Sequence, residues 1–325
     1  TIATLHFTSE KNSRFINGVI TQFSQGTTAL KDDIYITEYS ITIRPKLWLL
    51  TLDKNCKIFQ NKSAMDIIKS VLSDSGVRDI SDKTSSCGKG QREYCVQYNE
   101  SSFNFISRLM EDEGIFYYFT HESNKHTLVL VDSSMKYEKI SEKAQFIKAY
   151  NKALPLGKVF NTSLDSTMHS GGYALADYNY EISQTRLFST LDSKWKGSKV
   201  YEYPGGFEKT GEGENLSKMR IQEIECVHLM LRGDSTIPSF TPGYSFSLTE
   251  HHADNFNKTY VLCRVEHTFQ SAENGPFVYR NHFSAFPDGT EFRAPRKTPK
   301  PKVFGNQTAV VVCPSGKEIY RNEYC

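Results

Sequence analysis

Three consecutive carboxylates, Glu111, Asp112 and Glu113, close a helix-period stretch in REYCVQYNESSFNFISRLMEDEGIFYYF, residues 92–119. Paired acids of this kind serve as general acid and general base when they share a cleft and sit in opposed environments. A helix C-terminus carries partial negative charge, so each exposed acid there costs about 0.3–1 kcal/mol. Arg108 precedes Glu111 and Asp112 by three and four residues on the polar side of the helix, which predicts solvated, partly compensated carboxylates. On that reading Glu111→Gln and Asp112→Asn change stability little. Glu113 alone falls on the apolar side.

The other groups with chemical potential lack partners. PGGFEKTGEGEN contains G-x-G but neither a third glycine nor a Walker lysine, its glutamates repel phosphate, and it reads as a loop. His251 and His252 are adjacent, so on a strand they point to opposite faces and cannot share one metal ion; His267 and His282 have no partner at ligand spacing. No G-x-S-x-G elbow occurs and no cysteine and histidine form a local nucleophile signature. Asn61-Lys62-Ser63 and Asn257-Lys258-Thr259 match a glycan acceptor pattern that carries no weight without a secretory signal. No catalytic, cofactor-binding or metal-ligating residue is assigned, no cofactor is implied, and the expectation is a non-enzyme.

Seven cysteines, Cys56, Cys87, Cys95, Cys226, Cys263, Cys313 and Cys325, are odd in number and never spaced C-x-x-C. Scattered, unlinked thiols are expected, with Cys87–Cys95 the main candidate for a disulfide. The 39 basic and 37 acidic side chains of the 325-residue chain leave a formal charge of +2. That supplies no field for nucleic acid or an anionic membrane. Apolar runs such as GIFYYF and TLVLV fall far short of the roughly 20 residues a spanning helix needs. The opening TIATLHFTSEKNSR has no Sec-type signal pattern and no initiator Met, and reads as internal to a longer protein.

The elements that must position these residues are mostly short strands. In YSITIRP, Tyr39, Ile41 and Ile43 alternate with Ser40, Thr42 and Arg44, which predicts a sheet with its apolar face on a core. NKSAMDIIKSVLSDSG turns helical, with Ser63 as N-cap, Met65, Ile68, Val71 and Leu72 as the stripe, and Gly76 as the C′ residue. The next helix starts at Ser101 or Ser102 and buries Phe103, Phe105, Ile106, Leu109 and Met110. Ile115 to Phe119 is apolar on both faces, as in a central strand or one covered by a second chain, and HESNKH turns it into TLVLVD as a hairpin. Beyond residue 140 strands dominate, with residues 213–231 a candidate for helix running into strand. RAPRKTPKPKVFG reads as a linker and QTAVVVCPSGKEIY as the start of a small β unit. Aromatics, 13% of residues, fit sheet cores or subunit interfaces.

IRPKLWLLTLDKNCKIFQNKSAMDIIKSVL, residues 92–119, DYNYEIS, YEYPGGF and PKVFGNQTAVVVCPSGKEIYRNEY resemble successive blocks of VgrG, the valine-glycine repeat spike family of bacterial type VI secretion. The resemblance implies a mainly β chain with an α+β insertion: two antiparallel β-barrel, tube-like domains as in contractile phage tail hubs, then an OB-like domain. It implies a partial first barrel over residues 1–55 without its N-terminal strands, an α/β insertion over 56–135, a second barrel with return segments over 136–294, and a linker with a truncated OB-like start over 295–325. Asn322-Glu323-Tyr324-Cys325 stands where the family continues with DEYG.

The implied function is a structural spike or hub that caps the secreted tube and is delivered with effectors into target cells. The alternatives are a prophage contractile-tail hub and a hydrolytic effector whose catalytic domain lies beyond residue 325. Implied partners are two further copies in a homotrimer, the hexameric secreted tube protein, baseplate components, and a tip protein and effectors bound through C-terminal parts. Assembly in the bacterial cytoplasm and export by a signal-peptide-independent route follow from the same likeness. Ile115–Phe119 and Thr127–Val131 are candidates to lie near the threefold contact.

Overall fold

The computed structural model describes residues 2–8, 13–31, 34–85, 87–132, 137–148, 155–270 and 278–306, with residues 308, 310 and 316. Cys313, Cys325 and most of the β unit expected around them lie outside the described residues. Strands β1 (Ile2–Thr8), β2 (Ser13–Lys31) and β3 (Ile34–Arg44) form one antiparallel sheet in that order. An α/β unit follows: β4 (Asn55–Ser63), α1 (Ala64–Asp74), β5 (Ile80–Asp82), β6 (Gln91–Glu100), α2 (Ser102–Glu113), β7 (Phe116–His121) and β8 (His126–Val131). In it β4 pairs with β6, and the second sheet runs β5-β8-β7.

Next come β9 (Glu138–Lys139), β10 (Ala144–Phe146) and β11 (Lys158–Ser166), then β12 (Gly172–Asp177), β13 (Leu187–Asp192), β14 (Lys199–Glu202) and α3 (Thr210–Glu225). The last strands are β15 (Leu229–Ser235), β16 (Tyr244–Thr249), β17 (Thr259–Gln270) and β18 (Val278–Pro287). One sheet runs β10-β11-β15-β18-β17-β16-β9, and β10 also pairs with β16, so the hydrogen bonding closes into a circuit of six strands. Inside it lie Leu231, Phe240, Phe246, Tyr260 and Phe283, all fully buried. The sheet β13-β12-β14 is separate and packs Tyr173, Leu175 and Leu187 against Ile221 of α3.

Local signals set the first two helices. The Ser63 hydroxyl accepts the Asp66 N–H at 3.1 Å, the Ser101 hydroxyl accepts that of Asn104 at 3.1 Å, and Gly76 and Gly114 end the helices with φ of 75° and 69°. Met65, Ile68, Val71 and Leu72 of α1 meet Phe105, Ile106, Leu109 and Met110 of α2 in one core. Each such side chain contributes about 1.5–3 kcal/mol on burial.

Four expectations are corrected. Arg108 does not compensate Glu111 and Asp112: it is buried, donates from Nε to both Glu100 oxygens at 3.1 Å and from Nη2 to the Val96 carbonyl at 2.7 Å. A buried guanidinium needs such full pairing, and a bidentate acid on β6 offers more than solvated carboxylates one turn away. β7 is an edge strand, with Tyr117 and Phe119 on the α1–α2 core and Tyr118 against Val129, Val131 and Tyr244, so its own chain covers both faces. The helix running into strand expected over residues 213–231 is present as α3 and β15, but α3 starts earlier, so the stretch before it is not loop: GEGEN forms its first turns, where a Cβ on Gly213 would come within 2.6 Å of the Phe207 ring. The close approach of helix to ring outweighs glycine's weak helix propensity. Finally, the Tyr39–Ile41–Ile43 face does not sit on a core of this chain, since Tyr39 and Ile41 are about half exposed.

Leu109→Ala should destabilise the protein by about 2–5 kcal/mol in denaturant melts. Gly114→Ala should cost more than about 1 kcal/mol, because its φ is positive and the new methyl would lie 2.7 Å from Arg293 Nη1. Losses below that level at both positions would contradict the packing described.

Candidate assembly surfaces and the carboxylate cradle

The acidic end of α2 is occupied by the chain itself. Glu111 Oε2 accepts the backbone N–H groups of Lys297 and Thr298 at 3.1 and 3.0 Å, and Oε1 accepts the Thr298 hydroxyl at 2.8 Å. Asp112 pairs with Lys300 at 3.3 Å, and its carbonyl accepts from Arg220. Glu113 pairs with Arg92 at 2.6 Å and accepts the Gly88 N–H at 3.1 Å. The last turn of α3 adds Glu223, whose Oε1 accepts the Arg296 N–H at 2.8 Å. Each carboxylate thus has a specific partner, and Glu111 in particular does more than the solvated role expected of it.

Arginines extend the contact. Arg293 is buried and donates to the Gly114 carbonyl at 2.8 Å and to Gln222 at 2.9 Å. Arg296 forks onto both Glu202 oxygens at 3.0 and 2.7 Å and reaches the Tyr173 hydroxyl at 2.8 Å. Burial by itself would raise the Glu202 carboxyl, but Arg296 and Tyr173 outweigh it and hold the group below its usual range. These acids are committed to donors within the chain.

The histidines fasten β2 and the turn after β3 to the hairpin β7–β8. His121 Nδ1 accepts the Asn17 N–H at 3.0 Å, and His126 Nε2 accepts the Lys46 N–H at 3.0 Å. Both contacts require neutral rings. Burial, then His126 and Arg14, push His121 down to about 4; burial, then Lys46, lowers His126; burial, then Arg14, pushes His267 down to about 4. His251 and His252 correct the expectation of opposite faces: they follow β16 in a loop, their rings stack 4.3 Å apart, and His251 is held between Phe146 and Phe256. His282 bonds Asp234 at 2.9 Å on the surface. Among the described residues no group of three or more His, Cys, Asp or Glu converges on a metal position.

A cleft of about 330 Å³ separates α2 and β7 from the seven-stranded sheet, lined by Phe103, Met110, Tyr118, Val261, Phe286 and Phe292. Burial pushes Tyr118 up to about 12 and Cys263 to about 11, so neither titrates near neutrality. The five described cysteines are free thiols.

Among the described residues, two sheet faces leave large apolar side chains exposed. Register places Leu5 and Ile16, Ile20 and Ile43, and Phe23 and Ile41 as pairs on one face of β1–β2–β3, beside Tyr39. Phe23 is 61% exposed and Ile41 49%. On the side of β13-β12-β14 away from α3, Phe188 and Tyr201 are exposed, with Tyr178, Tyr180 and Tyr203 in flanking loops. No sequence period distinguishes a face covered by the same chain from one that is not.

The profile described as phage tail baseplate hub (GPD) matches residues 2–273. The chain belongs to this family. Over 96% of its length it is 32% identical to the type VI secretion system spike proteins VgrG1c and VgrG1a of Pseudomonas aeruginosa, covering 44% and 50% of those proteins. The chain therefore spans about half the length of the curated relatives it matches. Its hub fold is also that of the E. coli c3393 protein, a component of the type VI secretion system with structural similarity to T4 bacteriophage tail proteins. That similarity has a TM-score of 0.64 at 20% identity, over 91% of this chain and 67% of that one.

The hub's histidine contacts set a pH dependence. In the unfolded chain these rings take up protons near 6.5, whereas folded His121 and His267 do so only near 4, so the unfolded state binds more protons between those values. Stability should be full above about pH 6.5 and fall as pH drops toward 4. His121→Asn, whose amide oxygen can accept the Asn17 N–H at any pH, should flatten the fall in denaturant midpoints; an unchanged slope would contradict the assignment.

Proposed function

We propose that this hub chain works by assembly, as the spike or hub component that caps a secreted contractile tube, and not by catalysis. The family match over residues 2–273, joined to 32% identity with type VI spike proteins, carries the reading. In this account β1–β3 belong to a first tube-like domain over residues 1–55. Residues 56–135 are an insertion and 136–294 a second domain, whose closed six-strand circuit supports a barrel. Residues 295–325 lead into an OB-like domain.

Three copies, each with two tube-like domains, form a ring of six such units that matches a hexameric tube protein. A threefold ring uses a heterologous contact, in which one patch of each chain meets a different patch of the next. The uncovered face carrying Phe23, Tyr39 and Ile41 supplies apolar surface for such a contact. The assembled spike leaves the bacterial cytoplasm with the tube, without a signal peptide, and its tip protein and effectors bind beyond the hub.

Light scattering tests the reading. Residues 1–325 alone should be monomeric or weakly associating, and a chain extended to the relatives' full length should be a stable trimer at micromolar concentration. Phe23→Glu with Ile41→Lys should leave the melting of residues 1–325 nearly unchanged and abolish the full-length trimer. A monomeric full-length protein would contradict the hub assignment.

A further inference from the structure

Residues 291–300, EFRAPRKTPK, contain no helix or strand, yet most of them make hydrogen bonds, ion pairs or ring contacts. Pro295 and Pro299 have no N–H, and each disfavours helical conformation in the residue before it. Between them lie three backbone amides, of Arg296, Lys297 and Thr298. All three are donated to carboxylates, the first to Glu223 and the next two to Glu111. The acceptors come from the last turns of α3 and α2, which sit on separate cores. Side chains of the tract make the flanking contacts: Arg296 forks onto Glu202, Lys300 meets Asp112, and Phe292 stacks on Phe286. Immediately beyond, Val303 and Phe304 are exposed.

One carboxylate oxygen can accept two successive main-chain N–H groups only where the backbone bends so that they converge, as it does at Thr298, and charge-assisted bonds of this kind are stronger than neutral ones. We propose that Glu111, Glu223 and Glu202 form an exit clamp that recognises a basic, proline-punctuated, bent segment, filled in cis by residues 293–300, and so fixes the direction in which the chain leaves the hub. The consequence that thrust on the hub passes rigidly to the part beyond residue 300 rests on the assembly reading above. The clamp itself is independent of oligomeric state.

Limited trypsin digestion of the 325-residue chain isolates the clamp, because the bonds after Arg296 and Lys297 are cleavable only when the tract leaves its cradle. Glu111→Gln with Glu223→Gln should raise cleavage at those two bonds about tenfold, the effect of losing charge-assisted bonds. Arg296→Lys changes no helix residue, keeps the cleavage site and removes the fork; it should raise cleavage about threefold while thermal melting of the rest is preserved. Rates within twofold of the unmodified chain in the Arg296→Lys protein, or in the folded double variant, would overturn the clamp. A full-length chain that fails to trimerise would leave these rates untouched and count only against the hub reading.

Discussion

Three main-chain N–H groups between two prolines, each given to a carboxylate, hold together units that otherwise fold around separate cores. Glu111 and Asp112 project from the end of α2, Glu223 from the end of α3, and the tract they share arrives from β18. Acids at a helix C-terminus oppose the backbone dipole by about 0.3–1 kcal/mol each, whereas a hydrogen bond to a charged group contributes about 1.5–3 kcal/mol. The second effect wins here because Glu111 accepts three such bonds. Gly114 completes the joint: its left-handed turn presents a carbonyl to Arg293 where any larger residue would collide.

The same economy of parts commits many of the chain's ionisable groups to partners within it. Arg108 neutralises Glu100 inside the α/β unit, Arg296 neutralises Glu202 beside Tyr173, and His121 and His126 serve as neutral acceptors for backbone N–H groups. Phe23, Tyr39 and Ile41 on one sheet, and Phe188 and Tyr201 on another, remain exposed, and under the proposed assembly they are the apolar area open to other chains.

Much of the local structure was legible in the sequence because its causes are local. Ser63, Ser101 and Gly76 act within one turn of their own helix, and the period of α1 and α2 names the buried residues directly. What was not legible depends on distant partners. Arg108 has acids on both sides along the chain, and only the fold brings its guanidinium to Glu100. α3 begins at Thr210, ahead of the candidate start at Gly213, and Phe207 packs against Gly213 where a side chain would not fit. Tyr39 and Ile41 announce an apolar face, but alternation carries no information about what covers it. The tract RAPRKTPK looked like a linker for the same reason: its binding is through main-chain amides, which leave no trace in side-chain pattern. The VgrG resemblance was visible in extended blocks and identified the family; it did not reveal the clamp.

Differential scanning calorimetry of the 325-residue chain with and without Glu111→Gln and Glu223→Gln tests most directly whether the carboxylate cradle couples these units. The unmodified protein should unfold in one cooperative transition, and the double variant should separate into at least two, as the α1–α2 core and the α3 unit melt independently. A single transition in both proteins, at nearly the same temperature, would contradict the claim that this joint is what binds the structure together.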